Sequence, residues 1–412
     1  MKKSDIYLTK TYLAIAKEPI FVGTGGYRIG RVDNTIVREA GTGIPKIPGT
    51  TIEGNARYFS WLTYKQNMNL KLGCAKGKTI KDAEEQEKEP CGECRVCLTY
   101  GYVKKEKEGA KARGGLAYFS DARILFFPVA TMVGPVWITC KRVLEEVVDT
   151  GGDQSIIKNL SDDAFVSAEK LKNSLPQTGD GQKVLNFGWI MLRKSDGNEI
   201  TPENWKLKGE FIVNLKTIVD RIKNKICVVP DELFTQIVNS NLETRTSVSI
   251  NPVTGAAESG ALFTYEAIPR GTIFWFEVTY ENPKNYQLNK PIKVVIETVE
   301  DGFDLFSAIG IGGMGTRGFG KIEIISKLQE EKEYWERIKD FIQNLKEEQK
   351  NLEEKFQSEE KEKIEKRLKE IKEKINLWCN YVKNWQEKLK EEAEKAKNSL
   401  VILEEIIKIC EE

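Results

Sequence analysis

The chain has 412 residues, 63 Lys plus Arg against 62 Asp plus Glu, eight cysteines and no histidine. Without imidazole there is no Ser-His-Asp triad, no histidine general base and no histidine metal ligand; catalysis would need carboxylates, Lys, Tyr, Ser or Thr, thiolates, a bound metal or groups of the substrate itself. The length predicts two or three domains, and 40% apolar residues suffice for sizeable cores. The charged start MKKSDIYLTK leads into no apolar run, and no uncharged apolar stretch of about 18 residues occurs, so a soluble cytoplasmic protein with no membrane partner is expected.

In chain order, the first strand is TKTYLAIA, β-branched and aromatic. Next comes a glycine-rich stretch from Phe21 to Arg57. Gly23, Gly25, Gly26 and Gly30 could offer amides to a phosphate, but no Gly-Lys-Ser/Thr follows, so it is not a P-loop. Asp33 lies in this loop between Arg31 and Arg38. The segment TTIEGNARYFSWLTYK then predicts a helix with Ile52, Ala56, Phe59 and Thr63 on one face and Thr50 or Thr51 as N-cap after Pro48-Gly49. Its N-terminal amides suit an anion.

Cys74, Cys91, Cys94 and Cys97 form C-x16-C-x2-C-x2-C, which can close a tetrahedron around one ion. A structural Zn²⁺ held by four thiolates is expected, stapling a loop without a core of its own. The rival is an iron–sulfur cluster, although the ferredoxin continuation C-x3-C-P is missing. Cys140, Cys227, Cys379 and Cys410 stand singly, which speaks for a metal site and against a disulfide framework. The loop from Lys104 to Arg113, KKEKEGAKAR, is basic, as a backbone-contacting loop would be.

GLAYFSDARILFFPV, GPVWITC, GTIFWFEVTYEN, PIKVVIETV and FGKIEII follow as strand candidates, with helices expected in VLEEVVDTG, ending at its glycine, and in EFIVNLKTIVDRIKNK. Strands and helices interleaved this way predict an α+β core of split β-α-β type. Between Arg245 and Pro269, VSI, an Asn-Pro-x-x-Gly turn and a second extended segment predict a projecting hairpin. The run Ile309 to Ile324 holds six glycines, among them Gly313 and Gly318 around Thr316 and Arg317, and requires close approach to phosphate or to another main chain.

From Lys327 onward the chain carries 20 basic and 23 acidic residues, leaving 43 and 39 before it, so any nucleic-acid affinity needs a local basic face. Ile371, Ile375, Trp378, Val382, Trp385 and Leu389 make a heptad seam, and Trp335, Ile338, Ile342, Leu345, Leu352 and Phe356 make another. An antiparallel helical hairpin turning near Gln357 to Lys361 is expected, packing on itself or on a neighbouring subunit.

Four stretches resemble the RAMP superfamily of CRISPR systems: VGTGGYRIGRVDNTIVREAGTGIPKIPGTTIEG, SDARILFFPVATMVGPVWITCKRVLEE, GALFTYEAIPRGT and GGMGTRGFG. They look most like the backbone subunit of the type III-B (Cmr) effector complex, over about residues 8 to 325. The resemblance implies a ferredoxin-like, RRM-like palm over residues 1–326, with an inserted four-cysteine zinc region at 66–115 and a β-hairpin thumb at 240–272; residues 327–412 form the helical arm. It implies copies stacked in a helical filament along crRNA, with the thumb entering the guide–target duplex. Further implied partners are target single-stranded RNA, a large polymerase-like subunit, a small helical subunit and capping RAMP subunits.

The resemblance further implies that Asp33 is the catalytic carboxylate of a metal-dependent endoribonuclease (Mg²⁺ or Mn²⁺) whose nucleophile is the ribose 2′-OH, leaving 2′,3′-cyclic phosphate and 5′-hydroxyl ends. The implied RNA contacts are Gly23, Gly25, Gly26, Arg31 and Arg38 in the first glycine loop and Lys46, Gly49, Thr50, Thr51 and Arg57 at the helix start. Lys104, Lys105 and Arg113 in the basic loop and Gly313, Thr316, Arg317 and Gly318 in the second glycine loop complete them. Two positions depart from the family: Phe21 replaces the usual His, and Glu53 replaces the usual Lys, leaving Arg57 as the nearest cation. A non-catalytic crRNA-binding scaffold and the equivalent type III-A (Csm) subunit are the alternatives.

Overall fold

In the computed structural model strand β1 (Tyr7–Ala16) buries Tyr12, Ala14 and Ala16 on one face and Leu13 on the other, so the sheet it belongs to is covered on both sides. The structure describes residues 6–25, 32–80, 84, 88–106, 109–150, 160–195, 199–208, 215–325, 339, 342–350, 369–376, 379–380, 382–383, 407 and 409. Two units are distinguished, Met1–Ile325 and Ser326–Glu412.

After β1 come α1 (Gly49–Met68), β2 (Gly101–Glu106), β3 (Gly109–Gly114), β4 (Ala122–Thr131), β5 (Gly134–Cys140) and α2 (Lys141–Val147). Then follow β6 (Ala164–Ser167), β7 (Val184–Phe187), β8 (Ile190–Lys194), α3 (Leu215–Arg221), β9 (Ile226–Val229) and α4 (Asp231–Ser240). The first unit closes with β10 (Glu243–Ile250), β11 (Ala257–Ala267), β12 (Ile273–Glu281), α5 (Ile292–Asp304) and β13 (Ile322–Ile325).

The main sheet runs β7-β8-β6-β9-β5-β4-β12-β1-β13. Its β4-β12-β1-β13 portion is antiparallel throughout, with Tyr7 opposite Glu281 and Ala16 opposite Ile322. In chain order this portion reads β1, α1, β4, then β12, α5, β13: two split β-α-β units, each with one strand inserted between its own pair. Val295, Val299 and Phe303 of α5 share a core with Ile52, Ala56 and Phe59 of α1 and Phe274, Phe276 and Val278 of β12. Leu144, Val147, Ile218 and Trp205 cover the opposite face over Leu13, Leu125, Ile273 and Ile325.

Several expectations need correction. PIKVVIETV is not a strand but lies in α5: its burial at Val295, Ile296, Thr298 and Val299 and on to Gly302 and Phe303 follows helical spacing, and Pro291 opens it. Its β-branched residues concealed that period. Gly302 lets α5 approach α1, since a Cβ there would lie 2.6 Å from the carbonyl oxygen of Ala56. The helix in VLEEVVDTG stops at Val147, and Val148–Asp149 instead pair with Lys206–Leu207. GLAYFSDARILFFPV is broken at Ser120-Asp121 into Ala117–Phe119 and β4. In EFIVNLKTIVDRIKNK the helix is α3, and residues 210–214 lie outside the described residues.

In the second unit Leu345, Ile371, Ile375 and Cys379 form one apolar cluster. Trp335, Ile338, Leu352, Phe356, Trp378, Trp385, Leu389 and the turn near Gln357 to Lys361 lie outside the described residues. Cys379 is disulfide-bonded, contrary to the reading that the scattered cysteines stand singly. Among the described residues no helix is long and apolar enough to cross a membrane.

Candidate nucleic-acid interface and metal centre

The hairpin β10–β11 is a two-stranded sheet of its own, pairing Glu243 with Ala267 and Val248 with Leu262. Toward its tip, Ile250 and Leu262 are exposed and Val253 is 90% exposed, so these side chains of the projecting end pack on none of the described residues of their unit. The root is anchored. Thr264 of β11 donates its amide to Asp33 Oδ2 at 2.7 Å and its hydroxyl to the same oxygen at 3.1 Å, while the Asp33 amide donates to the Thr264 carbonyl at 3.1 Å. Among the described residues nothing donates to Asp33 Oδ1. Gly26 and Arg31 of this loop lie outside the described residues.

Arg38 is held inside the same arrangement. It pairs with Glu266 of β11 at 2.7 Å and donates to Asn239 Oδ1 at 2.9 Å and to the Ile36 carbonyl at 3.1 Å. These contacts make Arg38 a brace for the loop.

The glycine run meets main chain. Gly313 N–H donates to the Phe21 carbonyl at 2.8 Å, and a Cβ on Gly312 would come within 2.5 Å of that oxygen. Val37 N–H in turn donates to the Val22 carbonyl at 2.9 Å, and Thr24 N–H to Thr35, so the 19–24 segment lies between the glycine run and the Asp33 loop. Gly23 is in this bridge, and Gly25 adopts a positive φ of 69° with open space where a Cβ would sit. Phe21 meets Tyr265 edge to face with centroids 5.8 Å apart, and Tyr265 meets Phe319 at 5.4 Å. Phe21 therefore fills its place as packing. Arg245 at the hairpin root lies 4.5 Å above Phe319 and pairs with Glu243, whereas Thr316, Arg317 and Gly318 are exposed.

At the start of α1 the N-cap position is Pro48 with no side-chain cap, and Thr50 and Thr51 lie inside the first turn, contrary to the expected threonine cap. Asp121, from the break before β4, accepts the Gly49 amide at 2.8 Å on Oδ1 and the Lys46 ammonium on Oδ2. Burial works to raise the Asp121 pKa, but the Lys46 and Gly49 contacts outweigh it and hold the carboxyl below its ordinary range. The anion expected at this helix end is thus supplied by the protein. Glu53 is shifted the other way, pushed up by burial against the opposing pull of Arg57.

Arg57 is 7% exposed and is not a surface cation. Its Nε donates to the Cys74 carbonyl at 3.0 Å and its two terminal nitrogens to Tyr100 at 3.1 Å and Gly101 at 2.8 Å. These carbonyls border the four-cysteine lobe. There Cys74, Cys91, Cys94 and Cys97 bring their sulfurs within 4.8 Å of one another. Backbone amides of Cys91, Cys94 and Cys97 donate to the sulfurs of Cys74, Cys91 and Cys94 at 3.3, 3.3 and 3.4 Å. Four convergent thiols, three of them with an amide on the sulfur, suit a tetrahedral thiophilic ion with bonds of about 2.3 Å, as for zinc.

The expected basic loop is the hairpin β2–β3, which follows the short helix Arg95–Tyr100 that carries Cys97 and places Lys104 opposite Lys111 and Tyr102 opposite Arg113. Arg113 lies over the Tyr102 ring at 5.5 Å and donates to the Cys97 carbonyl, so it belongs to the lobe, while Lys105 and Lys111 are exposed.

The description of the RAMP superfamily matches residues 15–323, which take in β1, α1, β4, the hairpin β10–β11 and the glycine run. The chain belongs to the RAMP superfamily. It is similar to CRISPR system Cmr endoribonuclease Cmr4 of Pyrococcus furiosus, 26% identical over 309 residues, covering 73% of this chain and 90% of that protein. Among solved structures this RAMP chain is similar to one in the apo state of a type III-B Cmr-beta complex (TM-score 0.49, 13% identity, 77% of this chain and 97% of that one). It is also similar to oligomeric Cmr4 from Pyrococcus furiosus (TM-score 0.44, 17% identity, 78% and 99%).

Sequence reading missed Asp121, Thr264 and Glu266. Each acts through a partner distant in sequence, and the only local sign was the Ser120-Asp121 step inside an otherwise apolar stretch.

Proposed function

We propose that this chain is the crRNA-binding backbone subunit of a type III-B CRISPR interference complex, repeated in a helical filament and cutting guide-paired target RNA at regular intervals. The observation that carries the reading is the clasp between Asp33 and Thr264. In a RAMP chain similar to a Cmr endoribonuclease, it fixes, at the root of a projecting hairpin, a carboxylate whose other oxygen no described residue engages. The split β-α-β sheet is read as the ferredoxin-like palm, β10–β11 as the thumb, and the four-cysteine lobe as a zinc-stapled insertion. The other complex subunits are the partners, in the cytoplasm.

The chemistry suits a chain without histidine. Thumb insertion splays the target backbone toward in-line geometry; the ribose 2′-oxygen bonds to phosphorus as the P–O5′ bond breaks. The 2′-hydroxyl proton passes to Asp33 or to water that Asp33 orients, and the leaving 5′-oxygen takes a proton from solvent. The ends are a 2′,3′-cyclic phosphate and a 5′-hydroxyl. Among the described residues Asp33 belongs to no cluster of three or more ligating side chains. One carboxylate oxygen still fits Mg²⁺ or Mn²⁺, ions that keep much of their shell as water and phosphate oxygens. Such an ion would supply charge stabilisation at the phosphate.

Among the described residues, exposed Thr50, Lys105, Lys111, Thr316 and Arg317 and half-buried Lys104 are surface groups available to RNA phosphates; Arg38, Lys46, Arg57 and Arg113 act behind them. The test is the assembled complex with a guide-matched RNA. Wild type gives a ladder of regularly spaced, divalent-dependent fragments. Asp33→Ala abolishes the ladder while assembly and target binding persist, and an unchanged ladder refutes the assignment.

A further inference from the structure

A buried guanidinium normally faces a carboxylate, because an uncompensated charge in a low-dielectric interior is costly. Arg57 has none. Among the described residues it forms no ion pair, and its hydrogen bonds there end on the carbonyls of Cys74, Tyr100 and Gly101. Glu53, one turn earlier on α1, is half-buried and does not reach it as an ion pair. Backbone carbonyls satisfy hydrogen bonds but carry no net charge.

The surroundings are built for this group. Gly77, with φ of 71°, lies so close that a Cβ there would come within 2.5 Å of the Arg57 Cζ. Gly77 also accepts the Val103 amide at 2.8 Å, and Cys74 itself is fully buried. On another side of the lobe, Arg113 donates to the Cys97 carbonyl at 3.3 Å. The carbonyl of one metal-ligand residue is thus bound by Arg57 and that of another by Arg113. The missing negative charge is available next door: a divalent ion in a shell of four thiolates leaves the centre with a net double negative charge.

We propose that Arg57 is the counter-charge of the four-thiolate centre, so that metal binding and burial of the guanidinium stabilise each other. This rests on reading the cysteines as a metal site. Arg57 is then a positioning residue, joining α1 of the palm to the lobe through the metal's charge. Tyr100 and Gly101, whose carbonyls it holds, lead directly into β2 and Lys104, so the same link sets the hairpin that presents the lysines.

The test uses the full-length chain, with zinc affinity measured by competition against a chromophoric chelator, cobalt(II) thiolate absorption as the spectroscopic signature, and thermal unfolding in loaded and stripped states. Arg57→Met and Arg57→Gln should weaken zinc binding at least tenfold. They should lower the melting temperature of the loaded protein and leave the stripped protein unchanged or more stable, because removing a charge helps where its counter-charge is gone. Arg57→Lys, which keeps the charge and loses the three-way hydrogen bonding, should retain most of the zinc affinity. An equal loss of stability in both states, or Arg57→Lys weakening zinc as much as Arg57→Gln, overturns the proposal in favour of plain hydrogen bonding. Should Arg57→Met and Arg57→Gln fail to fold, the Arg57→Lys zinc affinity alone decides between charge and geometry. A wild type that takes up neither zinc nor cobalt sinks the metal reading and this inference with it; a wild type that binds zinc while the variants bind it equally well sinks only the role of Arg57.

Discussion

Asp33 and Thr264 lie 231 residues apart and hold each other through both main chain and side chain. The carboxylate oxygen that fixes the loop takes two donors from the hairpin strand, and among the described residues nothing donates to the other oxygen.

That division of labour separates two effects in one position. Asp33→Asn keeps an oxygen to accept from Thr264 but removes the charge; Asp33→Ala removes both and costs about 1–2 kcal/mol through the orphaned amide. Both should slow target cleavage by at least about 100-fold, with only the alanine variant measurably less stable in thermal unfolding. An Asp33→Asn complex that cuts at the wild-type rate would make Asp33 a strut.

Lys104 and Lys111 face one another across β2–β3. Like charges directly opposite destabilise a hairpin by about 0.2–1 kcal/mol unless an anion lies between them or nearby. Replacing either lysine with alanine should leave the free protein as stable or slightly more so. It should lower RNA affinity, with the slope of log affinity against log salt reduced by about one unit per lysine. Titration of the variants with RNA at several salt concentrations checks this; an unchanged slope removes the hairpin from the interface.

What was legible in the sequence was local. The cysteines announce themselves because three of the four fall within seven residues, and the hairpin because its Asn-Pro-x-x-Gly turn sits between extended segments. The first strand was legible for the same reason, its pattern being complete in ten residues. The contacts that decide what Asp33, Arg38 and Arg57 do are not local. Asp33 needs Thr264, Arg38 needs Glu266, and Arg57 needs carbonyls up to 44 residues away. A sequence offers Arg57 as a cation near a phosphate-binding turn, but only the fold shows it sealed under Gly77. Helix α5 was obscured differently: its valines and isoleucines favour strands, and only burial on α1 shows which period the chain obeys.

The glycine run makes a sharp steric prediction. Gly312 has φ of 79° and its missing Cβ would lie 2.5 Å from the Phe21 carbonyl oxygen. Gly312→Ala should therefore cost about 1–3 kcal/mol through a strained conformation and, by displacing Phe21, loosen the stack that carries the Asp33 loop. The expected readouts are a lower melting temperature and reduced cleavage at unchanged zinc content. Gly25, also at positive φ but with open space around it, should tolerate alanine with a smaller loss, of about 1 kcal/mol.

Asp121 ties the start of α1 to Lys46 and should leave its mark on acid stability. Its carboxyl is held below the ordinary aspartate value of 3.8: burial opposes this, but the Lys46 ammonium and the Gly49 amide prevail. A depressed folded-state pKa means that the unfolded chain takes up the proton first, so the stabilisation is fully present above the ordinary aspartate range. It is lost as pH falls from there through the depressed value. Asp121→Ala, which also uncaps the helix, should cost about 0.5–2 kcal/mol near neutral pH and flatten that part of the acid limb. Asp121→Asn should recover the Gly49 contact at neutral pH while showing the same flattened limb, since it cannot ionise. Denaturant unfolding from pH 7 down to pH 3 distinguishes the three proteins; an alanine variant whose acid limb parallels wild type would show that Lys46 and Gly49 gain nothing from the charge on Asp121.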